Sequence, residues 1–89
     1  MNPRVLTVEE LKALPRLAIV FIEYFNGEEG EASEEIFAGM KCYDGTIIDE
    51  DSCVYDDFEQ DVAWNADGYW RFWDQMPTEK QRKEVPWDA

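Results

Sequence analysis

Residues 17–25 read Leu-Ala-Ile-Val-Phe-Ile-Glu-Tyr-Phe, an almost unbroken run of β-branched and aromatic side chains. A run of this length and composition predicts a strand that is apolar on both faces, and such a strand belongs in the middle of a sheet. The other segments must therefore supply partners on both sides of it. Only 89 residues are available, close to the lower limit for one hydrophobic core, so residues 1–89 form a single small domain. Four Trp and nine Phe or Tyr residues suit that limit, because each large ring buries much area per residue.

The flanking segments carry clear boundaries. Thr7-Val8-Glu9-Glu10 has the spacing of a capping box, with Leu6 and Leu11 placed as a hydrophobic staple. Pro15 lacks an amide donor and disfavours helix at Leu14, so a two-turn helix is expected over 8–14. After the central run, Asn26-Gly27 signals a turn, and 27–33 reads as a Gly-interrupted acidic loop. Residues 34–43 alternate, with Ile36, Ala38, Met40 and Cys42 on one face and Phe37, Gly39, Lys41 and Tyr43 on the other. Asp44-Gly45 turns into a short strand over 46–48, and extended structure resumes over 53–55. Residues 57–63 fit either an irregular loop or one helical turn carrying Phe58 and Val62. Tyr69-Trp70-Arg71-Phe72-Trp73 is a strand by aromatic content, and Thr78-Glu79-Lys80-Gln81 opens a second capped helix that Pro86 closes. The expected fold is mainly β with short helices (α+β). About five short strands make a small bent antiparallel sheet or an SH3-like barrel, with a short helix at each end.

Charge is distributed unevenly over this frame. Residues 23–61 hold 14 acids and one base, Lys41, so the entire net charge of −13 lies there, while the other 50 residues balance 7 acids with 7 bases. A composition this acidic can prevent collapse, but the 45% hydrophobic content argues for a folded domain with a mobile acidic loop. A solvated face is the ordinary meaning of a charge run. Segregation of the acids from the bases, and their placement on strands and tight turns, favour a surface of fixed geometry. Same-face acids two residues apart on a strand stand roughly 7 Å from one another, and each strand of duplex DNA carries about one charge per 3.4 Å of axis. A folded acidic sheet can thus offer an array of negative groups to a groove built for a nucleic-acid backbone. The residues expected to contact a partner are Glu28, Glu29, Glu31, Glu34, Glu35, Asp49, Glu50, Asp51, Asp56, Asp57, Glu59 and Asp61, with Tyr24, Tyr43, Tyr55 or Phe58 as apolar anchors.

The segments Thr7-Val8-Glu9-Glu10-Leu11-Lys12-Ala13-Leu14-Pro15, Trp70-Arg71-Phe72-Trp73-Asp74, Pro77-Thr78-Glu79-Lys80-Gln81-Arg82-Lys83 and Pro86-Trp87 resemble the ends of small acidic proteins encoded by phages and mobile elements of gut Firmicutes. The likeness spans both termini and leaves the acidic middle unmatched. It implies a genomic setting and no activity; a cytoplasmic location in the bacterial host is expected from the lack of a secretory signal or an apolar run long enough to span a membrane. In size and charge the chain also resembles anti-CRISPR proteins and other DNA mimics. That likeness implies an inhibitor of a basic nucleic-acid-binding protein, a type II CRISPR effector nuclease with its positively charged heteroduplex channel being the first to test.

Catalysis has little to draw on. The chain contains no His, the commonest general base, and it has neither a Walker-type nor a dinucleotide-type glycine loop. With 21 acids, neighbouring carboxylates arise by chance and identify no acid–base pair, so no enzyme is expected. An EF-hand starting at Asp49 places Val54 at the glycine position and Gln60 at the bidentate glutamate, and one starting at Asp57 fails likewise at Val62 and Gly68. Zinc remains as the alternative reading. A hairpin between Cys42 and Cys53 would face the two thiols, and two carboxylates from Asp44, Asp49, Asp51 or Asp56 would complete a tetrahedral set in a small structural or interaction module. Free cysteines are more often small core residues, and without a secretory signal they are expected as reduced thiols. No segment has the roughly 20 apolar residues of a membrane span. The aromatic run 69–73, with Arg71 as its single base, is expected in the core rather than as a platform for stacked bases, so direct binding of nucleic acid is not expected.

Overall fold

The computed structural model describes residues 2–87. Its elements run α1 (Val8–Ala13), β1 (Ile19–Asn26), β2 (Glu31–Ala32), β3 (Phe37–Lys41), β4 (Ile47–Asp49), β5 (Val54–Tyr55), α2 (Phe58–Asp61), β6 (Tyr69–Trp73) and α3 (Glu79–Glu84). All strand pairings are antiparallel. β1 is central, as its two apolar faces require. β6 pairs along one side of it, and β2 then β3 along the other, followed by β4 and β5. The N-terminal segment closes the far side of β6 through a bridge between Val5 and Trp73. The sheet is bent into a half-barrel. Among the described residues no pairing joins β5 to β6, so the barrel alternative is not reached.

Both capping boxes form, at Thr7 with Glu10 and at Thr78 with Gln81. The undecided stretch 57–63 resolves as a single helical turn, with the Asp57 carboxylate as its cap. The acidic loop 27–33 differs from expectation by containing β2, which pairs Phe25 with Ala32 and Asn26 with Glu31. Summed partner numbers change from 57 in the β1–β2 pair to 59 in the β1–β3 pair, so a bulge at 33–36 separates two hairpin-like segments along one edge.

The concave face holds the core. Val20, Ile22, Ile47, Tyr55 and Phe72 meet Leu6, Leu11 from α1 and Phe58 from α2. Phe37, Gly39 and Lys41 point the same way, as the alternation in 34–43 predicted. Lys41 is buried, and its ammonium donates to the carbonyls of Leu11 and Lys12 at 2.5 and 3.1 Å, tying α1 to the sheet. On the convex face, Trp87 stacks on Phe25 with centroids 4.6 Å apart and meets Tyr69 edge-on at 5.3 Å.

Candidate functional site

The acidic middle does not fold into one uniform face. Its first member, Glu23, is 1% exposed at the centre of β1. The register sets Glu23 directly opposite Arg71. Its Oε1 accepts from Arg71 Nε at 2.6 Å and from the Trp73 indole at 2.9 Å, while Oε2 accepts from Arg82 Nε at 2.7 Å. The guanidiniums spend most of their remaining donors on backbone, and Arg82 Nη1 also reaches the exposed Glu79 carboxylate at 3.5 Å. Arg71 reaches the carbonyls of Val85 and Arg82, and Arg82 those of Ser33 and Glu34. This cluster fastens α3, which buries no residue of its own, onto the convex face. One acid within 17–25 and one base within 69–73 was the available signal for it.

Several expected contact residues have internal duties. Asp49 is buried, because its Oδ1 accepts from the amides of Asp51 and Cys53 at 2.9 and 3.0 Å and its Oδ2 from the Tyr55 hydroxyl at 2.8 Å. It shapes the β4–β5 hairpin, a turn-forming duty not foreseen for it from the sequence. Burial first, then the hydrogen bond to Asp49, pushes the Tyr55 phenol well above its usual range. Glu59 pairs with Lys12 at 2.6 Å, and that bond holds the Glu59 carboxyl below its usual range. Asp57 accepts from the Gln60 amide at the start of α2. Of the proposed apolar anchors, Tyr55 and Phe58 are core residues, and Tyr24 is half-buried with its hydroxyl on the Asp67 carbonyl. Tyr43 alone among them is fully at the surface, 71% exposed under the Arg16 guanidinium.

Asp61, also among the expected contact residues, is half-buried at the end of α2. Its Oδ2 is buried without a hydrogen-bond partner, and burial, helped by the Asp57 and Asp56 charges, pushes its pKa up to about 6. The folded value lies above the unfolded value of about 3.9. Its contribution to stability is therefore fully present only below the unfolded value and is lost as pH rises through 6. Asp61→Asn should stabilise the protein by about 1 kcal/mol at about pH 7.5, once partial solvent access is allowed for. The gain should shrink as pH falls through about 6 and vanish near about pH 3. Urea titrations across that range check it, and an equal gain at every pH contradicts it.

The remaining acids are organised by the strand directions. β1 and β4 run the same way, since both are antiparallel to β3. Glu50, whose amide reaches the Ala38 carbonyl, stands level with Phe21 because Ala38 pairs with Phe21. Beyond the end of β4 the sheet margin carries Glu50 and Asp51, then Glu34 and Glu35 in the bulge, then Glu31 in β2, then Glu28 and Glu29 at the β1–β2 tip. All seven are exposed, and none forms an ion pair among the described residues. From Phe21 to Asn26 the strand advances about 17 Å, so the seven carboxylates project onto the strand direction with a mean interval of roughly 2.8 Å.

The tip of this margin is fixed in place. The Asn26 side chain accepts from the amides of Glu28 and Glu29 at 3.1 and 3.2 Å, and the Glu28 amide donates to the Ala66 carbonyl at 2.8 Å. Gly27 is required there, because a Cβ would lie 2.5 Å from the Asn65 carbonyl oxygen.

The opposite end is mixed in charge. Asp56, Asp57 and Glu59 share a cleft of about 600 Å³ with Lys12, Arg16 and Lys41. Twelve residues were expected to act together, and the fold gathers seven of them on the margin.

The cysteines are not brought together. The Cys42 amide bonds Thr46 across β3–β4 and the Cys53 amide bonds Asp49 across β4–β5, so the thiols lie on opposite sides of β4 and roughly 10 Å apart along it. Among the described residues no group of three or more His, Cys, Asp or Glu is placed to hold a metal ion. The zinc expectation for Cys42 and Cys53 is corrected on this geometry, since β4 stands between them. Among the described residues no helix is long and apolar enough to cross a membrane. Compared with protein-family models, curated proteins and solved structures, the chain matches none of them.

Proposed function

We propose that the protein is an inhibitor whose acidic sheet margin takes the place of a nucleic-acid backbone in a basic groove of a partner protein. The observation that carries this reading is the line of seven exposed, unpaired carboxylates on a backbone held by side-chain and turn hydrogen bonds. Projected on the strand direction, their mean interval of roughly 2.8 Å falls between the 1.7 Å per charge of duplex DNA and the 3.4 Å of one of its strands. A flexible acidic tail would lose conformational entropy on binding, and a margin pinned at Asn26 and Gly27 avoids most of that loss. The expected partner is a nucleic-acid-binding protein in the cytoplasm of a bacterial host. A type II CRISPR effector, which holds its heteroduplex by backbone contacts in a positive channel, is the first partner to assay.

The test is inhibition of DNA cleavage by a purified effector–guide complex. Reversal of Glu28, Glu31, Glu34 and Glu50 to Lys should weaken inhibition at least about a hundredfold at low salt, since each like charge in a basic groove now repels. Reversal of Asp56 and Asp57 at the mixed end should change it little. Binding should also fall steeply as ionic strength rises, because the Debye length shrinks from about 10 Å at 0.1 M. Inhibition that is absent at low salt, or that survives the four reversals, removes the reading.

A further inference from the structure

The convex face is covered only in part. α3 and Trp87 shield Glu23, Phe25 and Tyr69, whereas a second region of the same face lies open. Ile19 pairs with Met40, Met40 with Ile48, and Ile48 with Val54. One cross-strand row therefore places four apolar side chains in line over β1, β3, β4 and β5. Ile19 is 52% exposed, Met40 36% and Val54 57%, and Ile48 is half-buried between them. Leu17, two residues before Ile19, is likewise 53% exposed and has a φ of 69°. A left-handed leucine costs about 1–2 kcal/mol. A side chain half in solvent recovers little of that by packing within the domain.

The charges around this row say what fits it. Two residues on from Ile48 and Val54, the exposed Glu50 and Asp56 continue the outward alternation. Because β4 and β5 are antiparallel, the two acids flank the row on opposite sides. Glu50 is also the first carboxylate of the acidic margin, so the apolar row and the margin form one continuous surface. A second copy of this chain would set Glu50 and Asp56 against like charges and add a net charge of −13 on each side of the contact.

We infer that the row Ile19–Met40–Ile48–Val54 is a docking strip for a partner protein that presents an apolar ridge flanked by Lys or Arg. This extends the proposed function and rests on it for the partner's charge. The strip adds what the margin lacks. Paired charges give encounter rate and specificity, while a desolvated apolar anchor lowers the off-rate and resists salt.

Two synthetic peptides of equal length and charge serve as probes, an amphipathic Lys/Leu peptide and a Lys/Gln peptide, titrated into the ¹⁵N-labelled full chain. The Lys/Leu peptide should shift the amides of Ile19, Met40, Ile48 and Val54 and stay bound at about 0.3 M salt, where charge pairing alone is screened. The Lys/Gln peptide should shift only the margin and dissociate. Ile19→Asp with Val54→Asp should lower Lys/Leu affinity at least about tenfold without lowering Lys/Gln affinity. Ile19→Thr with Val54→Thr, which keeps β-branching and charge, should give the same direction should the Asp pair unfold the sheet. Equal behaviour of the two peptides, unchanged affinity in both variants, or self-association of the wild type that the variants abolish would each overturn the strip. Failure of the margin reading looks different, as Lys/Gln binding that survives reversal of Glu28, Glu31, Glu34 and Glu50.

Discussion

Glu23→Ala should lower the unfolding free energy by about 3–5 kcal/mol, because it strands two guanidiniums that the fold has desolvated. Arg71 and Arg82 have side chains 7% and 11% exposed, and no other carboxylate reaches Arg71 among the described ion pairs. A domain of 89 residues has about 4–13 kcal/mol in total, so this one change removes a large fraction and should depress melting by about 15 °C or more. The loss should be anatomically specific. α3 contributes no buried residue and is held through Arg82, through the two carbonyls that Arg71 reaches and through Trp87. Hydrogen exchange should therefore accelerate in Glu79–Glu84 before it does in β1 or β3. Glu23→Gln keeps the volume and one acceptor, and its cost should fall between wild type and Glu23→Ala. Equal melting of wild type and Glu23→Gln would mean that the carboxylate charge contributes nothing.

Asp49→Ala should cost about 2–4 kcal/mol, through the amides of Asp51 and Cys53 and the Tyr55 hydroxyl that lose their acceptor together. The β4–β5 hairpin is short, with a two-residue β5 and Ser52 in the left-handed region at φ 67°, so the ladder bonds alone are few. Loosening it should also spoil the acidic margin, since Glu50 and Asp51 sit on this turn. Asp49→Asn retains an oxygen for the two amides and should lose about half as much. Chemical denaturation of the two variants beside Tyr55→Phe apportions the cost. A fully stable Asp49→Ala would show that the hairpin closes without its carboxylate.

For these two residues the order of amino acids along the chain does not carry the outcome. The acidic middle was recognised by its sum, and a sum does not separate a carboxylate in solvent from one in the core. Glu23 and Asp49 count the same in a charge sum as Glu28 and Glu50 but have opposite surroundings, and the surroundings are made by partners 48 and 6 residues away. The cysteines failed for a related reason. Spacing suggested one hairpin between Cys42 and Cys53, whereas the segment folds as two turns about β4, which separates the thiols it was expected to join. The alternation in 34–43, by contrast, separates Phe37, Gly39 and Lys41 from Ala38 and Met40, and the registers then decide that the first set turns inward. The apolar outer row was implicit in that alternation and became visible only when the registers aligned four strands.

What the sequence alone determined is local. The central strand, both capping boxes, the turn residues and the alternation follow from interactions within a few residues, and the amino acids dictate those directly. The tertiary structure decided which charges are neutralised, which form a line on the margin, and which apolar residues stay uncovered. Those outcomes depend on register and on burial, and both come from contacts between segments far apart in the chain.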